Sequence, residues 1–239
     1  MTYTRSLTAD KPSTVCLPFA YTKKEGEKFY AFTDITKDGS GKYIATMTEP
    51  GESTLEANKP YLFMPTGNAD FSGTYTIPAT IEAGSTTSGH WMFKGVYAYK
   101  EWAANDPEIG KAYGFAGVAK TDINVGDFVR VASGAKIRPM SCYLLWSDTP
   151  SNARALTRGA DDADELPQSI TVRLVGSDGE TTAIGTLDTR TGELNLDADG
   201  WYDMNGRRLS GKPSQKGVYI RSTSGRLQGR NNGKMVIVK

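Results

Sequence analysis

Large apolar and polar residues alternate with a period of two along most of the first 147 positions of this 239-residue chain. The runs YTRSL, TVCLPFAY, KFYAFTDIT, KYIATMT and KPYLFMP follow one another, and GTYTIPATI, HWMFKGVYAY, AYGFAGVA, DFVRVA and MSCYLLWS continue the series. Successive side chains of a strand point to opposite faces, so each run reads as a strand with one buried face. Asp38-Gly39 and Pro50-Gly51 punctuate as turns, and Pro18, Pro60, Pro65 and Pro78 stand at run ends, where a missing N–H does least harm. Ten or so short strands at spacings of about 8–14 residues predict an all-β fold, an antiparallel sandwich or barrel-like domain over 1–147. The segment AYKEWAANDPEIGKAY is interrupted by Pro107 and reads as a long loop with at most one helical turn.

The alternation stops at 148. The stretch SDTPSNARALTRGADDADELPQS has no period, few aromatics and an acidic cluster at Asp161, Asp162, Asp164 and Glu165, which predicts a linker over 148–168. Beyond it SITVRLVGS, TTAIGTLDT and GELNLDA alternate again, with turns at Asp178-Gly179 and Thr191-Gly192, predicting a small antiparallel β-domain over 169–239. Within its last part, 201–239, WYDM and GVYI read as partner strands, with Asn205-Gly206 as a tight turn after the first and Lys212-Pro213 bending the connection.

Composition supports this picture. Twelve Tyr, eight Phe and four Trp supply large units of burial, and 26 Gly suit short strands joined by tight turns. Twenty-eight Lys and Arg against 27 Asp and Glu leave a net charge of +1, from which no basic face strong enough to drive nucleic-acid binding follows, so no nucleic-acid partner is expected. Apolar runs fall far short of the ~20 residues that cross a bilayer as a helix, so no membrane insertion is expected. Residues 1–20 lack the charged-then-apolar layout of a signal peptide, and strand-like sequence directly after Met1 reads as the C-terminal region of a longer chain. Cys16 and Cys142 both sit in apolar runs. They read as two buried thiols, or, in an oxidising compartment, as a disulfide joining the first and last strands of a domain.

Candidate chemistry is sparse. His90 is the single histidine, and it has no second His or Cys at metal-ligand spacing. The chain contains no phosphate-binding glycine loop, dinucleotide fingerprint, nucleophile elbow or zinc-protease motif. No cofactor is expected, and the chain reads as non-catalytic. DADGWYDMNG resembles a calcium loop only superficially, because Trp201 stands where an oxygen ligand belongs and the closing Glu is missing. One constellation carries a binding reading. Trp102 lies past the HWMF strand beside Glu101, Asn105 and Asp106, and an exposed Trp flanked by carboxylates and amides can hold sugar by stacking and hydrogen bonding. The competing reading has Trp102 capping the edge of the core.

Several motifs carry a resemblance. TYTRSL, STVCLPFAY, LEANKPYLFMP, FSGTYT, YGFAG and SGAKIRPMSCYL resemble a module that recurs in large secreted and surface proteins of the Bacteroidetes. The ending WYDMNGRRLSGKPSQKGVYI to GKMVIVK is similar to the type A sorting domain of the type IX secretion system, on Tyr202, Asp203, Asn205, Gly206, Arg207, Gly217, Tyr219, Lys234 and Lys239. It departs from that pattern in RSTSGRLQGRNNG, which lengthens the last hairpin. The resemblance implies a secreted or cell-surface location and a structural, adhesion or anchoring role. The implied partners are a glycan or a host or cell-surface protein, and secretion machinery at the tail. A carbohydrate-binding module is the alternative, and a fragment of a polysaccharide-acting enzyme the second.

Overall fold

The computed structural model describes residues 2–3, 6–7, 12–65, 69–77, 81–117, 125–149, 166–177, 185–188, 193–196, 200–202, 208–209, 217–223 and 232–238. Among them there is no helix, and the chain is all-β. The linker segment 150–165 and its acidic cluster lie outside the described residues.

Ten strands form the principal antiparallel sheet. They are β1 (Ser13–Cys16), β2 (Glu27–Lys37), β3 (Tyr43–Thr48), β4 (Pro60–Pro65), β5 (Ser85–Ser88), β6 (Trp91–Val96), β7 (Ala112–Phe115), β8 (Phe128–Arg130), β9 (Ser141–Trp146) and β10 (Ser169–Val175). Their order across the sheet is β5-β6-β9-β7-β8-β10-β3-β2-β4-β1. The sheet curls until β1, at one edge, meets the entrance of β9. There Cys16 N–H donates to Met140 O at 3.2 Å, and the Thr14 hydroxyl exchanges hydrogen bonds with the Cys142 backbone at 2.8 and 2.9 Å. Met140 adopts a left-handed φ of 58°, unusual for a long side chain, and its own N–H is taken by Val96 O at 2.6 Å.

Curling sorts the side chains by strand parity. Trp91, Phe93 and Gly95 stand opposite Trp146, Leu144 and Cys142. This face fills the inside of the curl, where Phe93 packs on Phe32 and Phe128, and Trp91 packs on Tyr43, Tyr113 and Trp146. The alternate residues of the same strands point outward into two further clusters. One holds Val15, Leu17, Phe19, Tyr21, Phe29, Leu55, Tyr61, Phe63 and Phe71. The other holds Trp102, Ala112, Val131 and Tyr143, with Val96, Ile109, Ala135, Ile137 and Leu145 against it. Each large side chain so buried stabilises the fold by about 1.5–3 kcal/mol.

Most predicted runs are strands within a few residues, with two differences. Among the described residues of the run GTYTIPATI, Gly73–Thr74 is the strand. Tyr75 instead stacks on Phe19 at 3.6 Å and donates to Phe71 O at 2.9 Å, so this segment acts as cover for an outer cluster. Ser85–Ser88 went unpredicted because STTS carries no apolar residue; it is an edge strand with its outer side exposed.

Ser169, at the expected start of the C-terminal domain, begins β10 of the principal sheet. β10 pairs through Ile170 opposite Phe128 and Ser169 opposite Val129, and Ile170 is fully buried. Tyr113 and Arg130 donate to Pro167 O at 2.7 and 3.2 Å, which ties the approach to β10 down as well. The chain divides into compact units at Val172, with Arg173–Lys239 as the second. That unit contains a hairpin of β11 (Gly185–Asp188) and β12 (Glu193–Leu196). A four-stranded sheet follows, of β13 (Gly200–Tyr202), β14 (Arg208–Leu209), β15 (Gly217–Thr223) and β16 (Asn232–Val238), in the order β14-β13-β15-β16.

Candidate functional site

Trp102 is a buried residue. It is 1% exposed, and its ring packs edge-on against Tyr143 at 5.2 Å. The reason is Glu108, a residue the sequence pattern did not single out. Its carboxylate accepts from Trp102 Nε1 at 3.0 Å, from the Tyr143 hydroxyl at 2.9 Å and from Lys100 Nζ at 3.0 Å, with Lys94 Nζ at 3.5 Å. Lys100 also reaches Asp106 Oδ2 at 3.1 Å and lies over the Trp102 ring at 5.3 Å. The turns of 104–111 thus fold back over Trp102 and seal it.

The remaining residues of the predicted glycan contact are dispersed. Glu101 is exposed and pairs with Lys136 at 3.6 Å, Asn105 is exposed, and Asp106 is engaged by Lys100 and by the Glu108 N–H at 2.9 Å. Burial pushes the Glu108 carboxyl upward, but hydrogen bonds from Lys100, Trp102 and Tyr143 and the charge of Lys94 outweigh it and hold it below the usual carboxylate range. Asp106 is held low by the Glu108 N–H and then by Lys100. Both carboxylates are kept ionised, the opposite of what a glycosidase acid needs at neutral pH.

His90 is held through one ring nitrogen, while its Nε2 is buried without a hydrogen-bond partner among the described residues. Its Nδ1 lies 2.7 Å from Ser147 O and its ring stacks on Trp146 at 4.4 Å. Among the described residues no group of three or more His, Cys, Asp or Glu side chains is placed to hold a metal ion.

Around β1 a second polar node forms. Asn58, at a left-handed φ of 64°, accepts from Gly84 N at 2.8 Å through its carbonyl and from the Tyr97 hydroxyl at 2.6 Å through its side chain. The Cys16 thiol lies 3.3 Å from Asn58 O and 3.7 Å from the Tyr97 oxygen.

The same closure leaves a groove of about 1010 Å³ beside it. Ser13 and Thr14 of β1 form one wall, and Phe115, Val129 and Val131 of the β7–β8 hairpin region form the other. Arg130, Lys136 and Arg138 also line it, and no carboxylate does among the described residues. Arg130 is occupied by Pro167 O and lies over the Tyr113 ring at 6.0 Å; Arg138 is exposed and makes no ion pair among the described residues.

Of the residues carrying the sorting-domain resemblance, Tyr202 lies on β13, Gly217 and Tyr219 on β15, and Lys234 on β16. β15 pairs Ile220 with Tyr202 and Arg221 with Lys234, so it runs between the other two. Asp203, Asn205, Gly206, Arg207 and Lys239 lie outside the described residues, as do Asp197, Asp199 and Asn205 of the calcium-like loop. Comparison of the chain with protein-family models, with curated proteins and with solved structures finds no match.

Proposed function

We propose that the chain is a non-catalytic accessory module of a secreted or cell-surface bacterial protein, an adhesion or anchoring unit. Its ligand-facing surface is the groove beside β1, and its ligand is an anionic glycan carrying carboxylate or sulfate groups. One observation carries the reading: Arg130, Lys136 and Arg138 line an open groove with no carboxylate in its lining among the described residues, and while Arg130 holds Pro167 O and Lys136 pairs with the exposed Glu101 at 3.6 Å, Arg138 makes no ion pair there. With a net charge of only +1, the chain has no global attraction for acidic polymers, so binding depends on this local field. Phe115 and Ile137 add apolar surface for sugar rings between the charges. The carbohydrate alternative thus moves from the loop around Trp102 to the groove, which Trp102, though only 1% exposed, also lines. The strand order of 200–238 agrees with a folded tail that secretion machinery reads as a surface.

The test is retention of the full chain on immobilised sulfated and uronate-bearing polysaccharides, with neutral dextran as control. Retention on the acidic supports is expected to fall with salt and to weaken several-fold in the Lys136→Ala/Arg138→Ala double variant. Equal retention on dextran, or a double variant that binds like the parent, would overturn the reading.

A further inference from the structure

The two cysteines are 126 positions apart in sequence, yet the curl of the sheet brings them together. Cys142 on β9 stands directly opposite Gly95 on β6. Directly opposed positions of an antiparallel pair have Cβ atoms about 4.5–5.5 Å apart. Gly95 has no Cβ, and the Cys16 sulfur occupies its place: an ideal Cβ on Gly95 would lie 2.4 Å from Cys16 Sγ and 2.8 Å from Cys16 Cβ. The Cys16 sulfur is therefore lodged one side-chain position from Cys142. Backbone contacts on both sides fix this alignment, through Cys16 N–H to Met140 O and the Thr14 hydroxyl to the Cys142 backbone. The Cys142 thiol hydrogen-bonds the Cys16 sulfur and holds its pKa below the ordinary thiol value against the opposing effect of burial. The more acidic thiol is the better attacking group near neutral pH.

We propose that Cys16 and Cys142 are a disulfide-forming pair that, in an oxidising compartment, staples the first strand of the sheet to the entrance of β9. The reaction is thiol–disulfide exchange with a small-molecule disulfide. The Cys16 thiolate attacks one sulfur of the oxidant, forming a mixed disulfide and releasing one thiolate. The Cys142 thiolate then attacks the Cys16 sulfur, forming the protein disulfide and releasing the second thiolate. Two protein thiols are oxidised, one oxidant disulfide is reduced to two thiols, and the two protons pass to the released thiolates. Both cysteines are essentially inaccessible, at 0% and 1% exposure, so exchange proceeds during folding or through local opening of β1. Asn58 O keeps its Gly84 N–H donor when the Cys16 thiol proton is lost, so bridging leaves that carbonyl satisfied. Ser13, Thr14 and Cys142 all line the groove, so the staple also fixes its β1 wall.

The test is refolding of the full chain in oxidised and reduced glutathione, followed by non-reducing peptide mapping and thermal unfolding. The expected product is a monomer whose peptides containing Cys16 and Cys142 are cross-linked, with a Tm about 5–10 °C above the reduced protein and reversible by dithiothreitol. Cys16→Ala and Cys142→Ala are each expected to lose the redox dependence of Tm. Should either variant fail to fold, the parent's peptide map still decides. Two alkylatable thiols after equilibration, a stable glutathione adduct, an intermolecular dimer, or a cross-link that leaves Tm unchanged or lowered would each overturn the proposal.

Discussion

The outer face of the curled sheet carries two clusters built on opposite principles. The first, around Phe29, Phe63, Phe71 and Tyr21, is held by ring-on-ring packing, with Phe29 and Phe63 at 4.6 Å and Tyr21 edge-on to Phe71 at 5.0 Å. The second places Trp102 and Tyr143 beneath a loop that an ionised carboxylate, Glu108, ties down through three hydrogen-bond donors. Both seal the same sheet. The first draws mainly on apolar area, with polar contacts at its rim, and is indifferent to pH near neutrality. The second exchanges some of that area for a charged node whose strength depends on every partner being present. A cluster of the second kind can be built from a polar-looking sequence, which is why an exposed Trp102 was a reasonable expectation.

The largest effect that separates the two is expected from Phe29→Ala. Phe29 is fully buried and touches Tyr21, Tyr61, Phe63 and Phe71. The void left behind is expected to cost about 3–5 kcal/mol. Urea unfolding of the variant should show a lower midpoint with an unchanged slope, and the loss should be the same at pH 7 and pH 4. A loss that grows or shrinks between those pH values would show that the two clusters are not energetically distinct.

Glu108→Gln comes next and should behave differently. Gln keeps the shape but removes the charge that Lys100 and Lys94 face, for an expected loss of about 1–3 kcal/mol at pH 7. The sign of its pH dependence follows from the lowered carboxyl pKa. The unfolded chain takes up a proton near the ordinary Glu value of about 4.3, before the folded protein does. The stabilisation is therefore complete above that value and is lost as pH falls towards the folded pKa. The gap between wild type and Glu108→Gln should hold from pH 7 to about 5 and then close as the pH drops further. A gap that stays constant to pH 3 would mean that the carboxylate is held by shape and not by charge.

The first cluster was legible in the sequence and the second was not, for a physical reason. KFYAFTDIT and KPYLFMP read as strands, and parity along each puts Phe29 with Ala31 and Phe63 with Tyr61 on one face. Trp102 lies where alternation has ended, and its burial depends on Glu108, a residue six positions on whose role appears only when the loop folds back. The Cys16–Cys142 approach stood in the sequence only as one of two readings. It arises from the curl that brings the edge strand β1 to β9, and parity within a strand carries no information about which distant strands meet. Gly95 was the one local signal, since a glycine inside a strand often marks a site where another group comes close.

The smallest effect tests whether the apolar cluster is as free of polar support as it looks. The Tyr21 hydroxyl donates to the Glu27 carboxylate at 2.9 and 3.0 Å, at the rim of an otherwise apolar cluster. Tyr21→Phe keeps the ring, which is 3% exposed, and removes this bond for an expected loss of about 0.5–1.5 kcal/mol at pH 7. Burial, then the hydrogen bond and charge of Glu27, push the Tyr21 phenol well above its ordinary value. Folded Tyr21 therefore keeps its proton at pH values where the unfolded chain has lost it, and its stabilising contribution is complete below about pH 10 and falls as pH rises beyond that. The difference between wild type and Tyr21→Phe, followed by urea unfolding at pH 8, 10 and 11, should narrow and then reverse. A difference that persists unchanged to pH 11 would place the phenol outside the cluster's energetics and leave ring packing as its sole support.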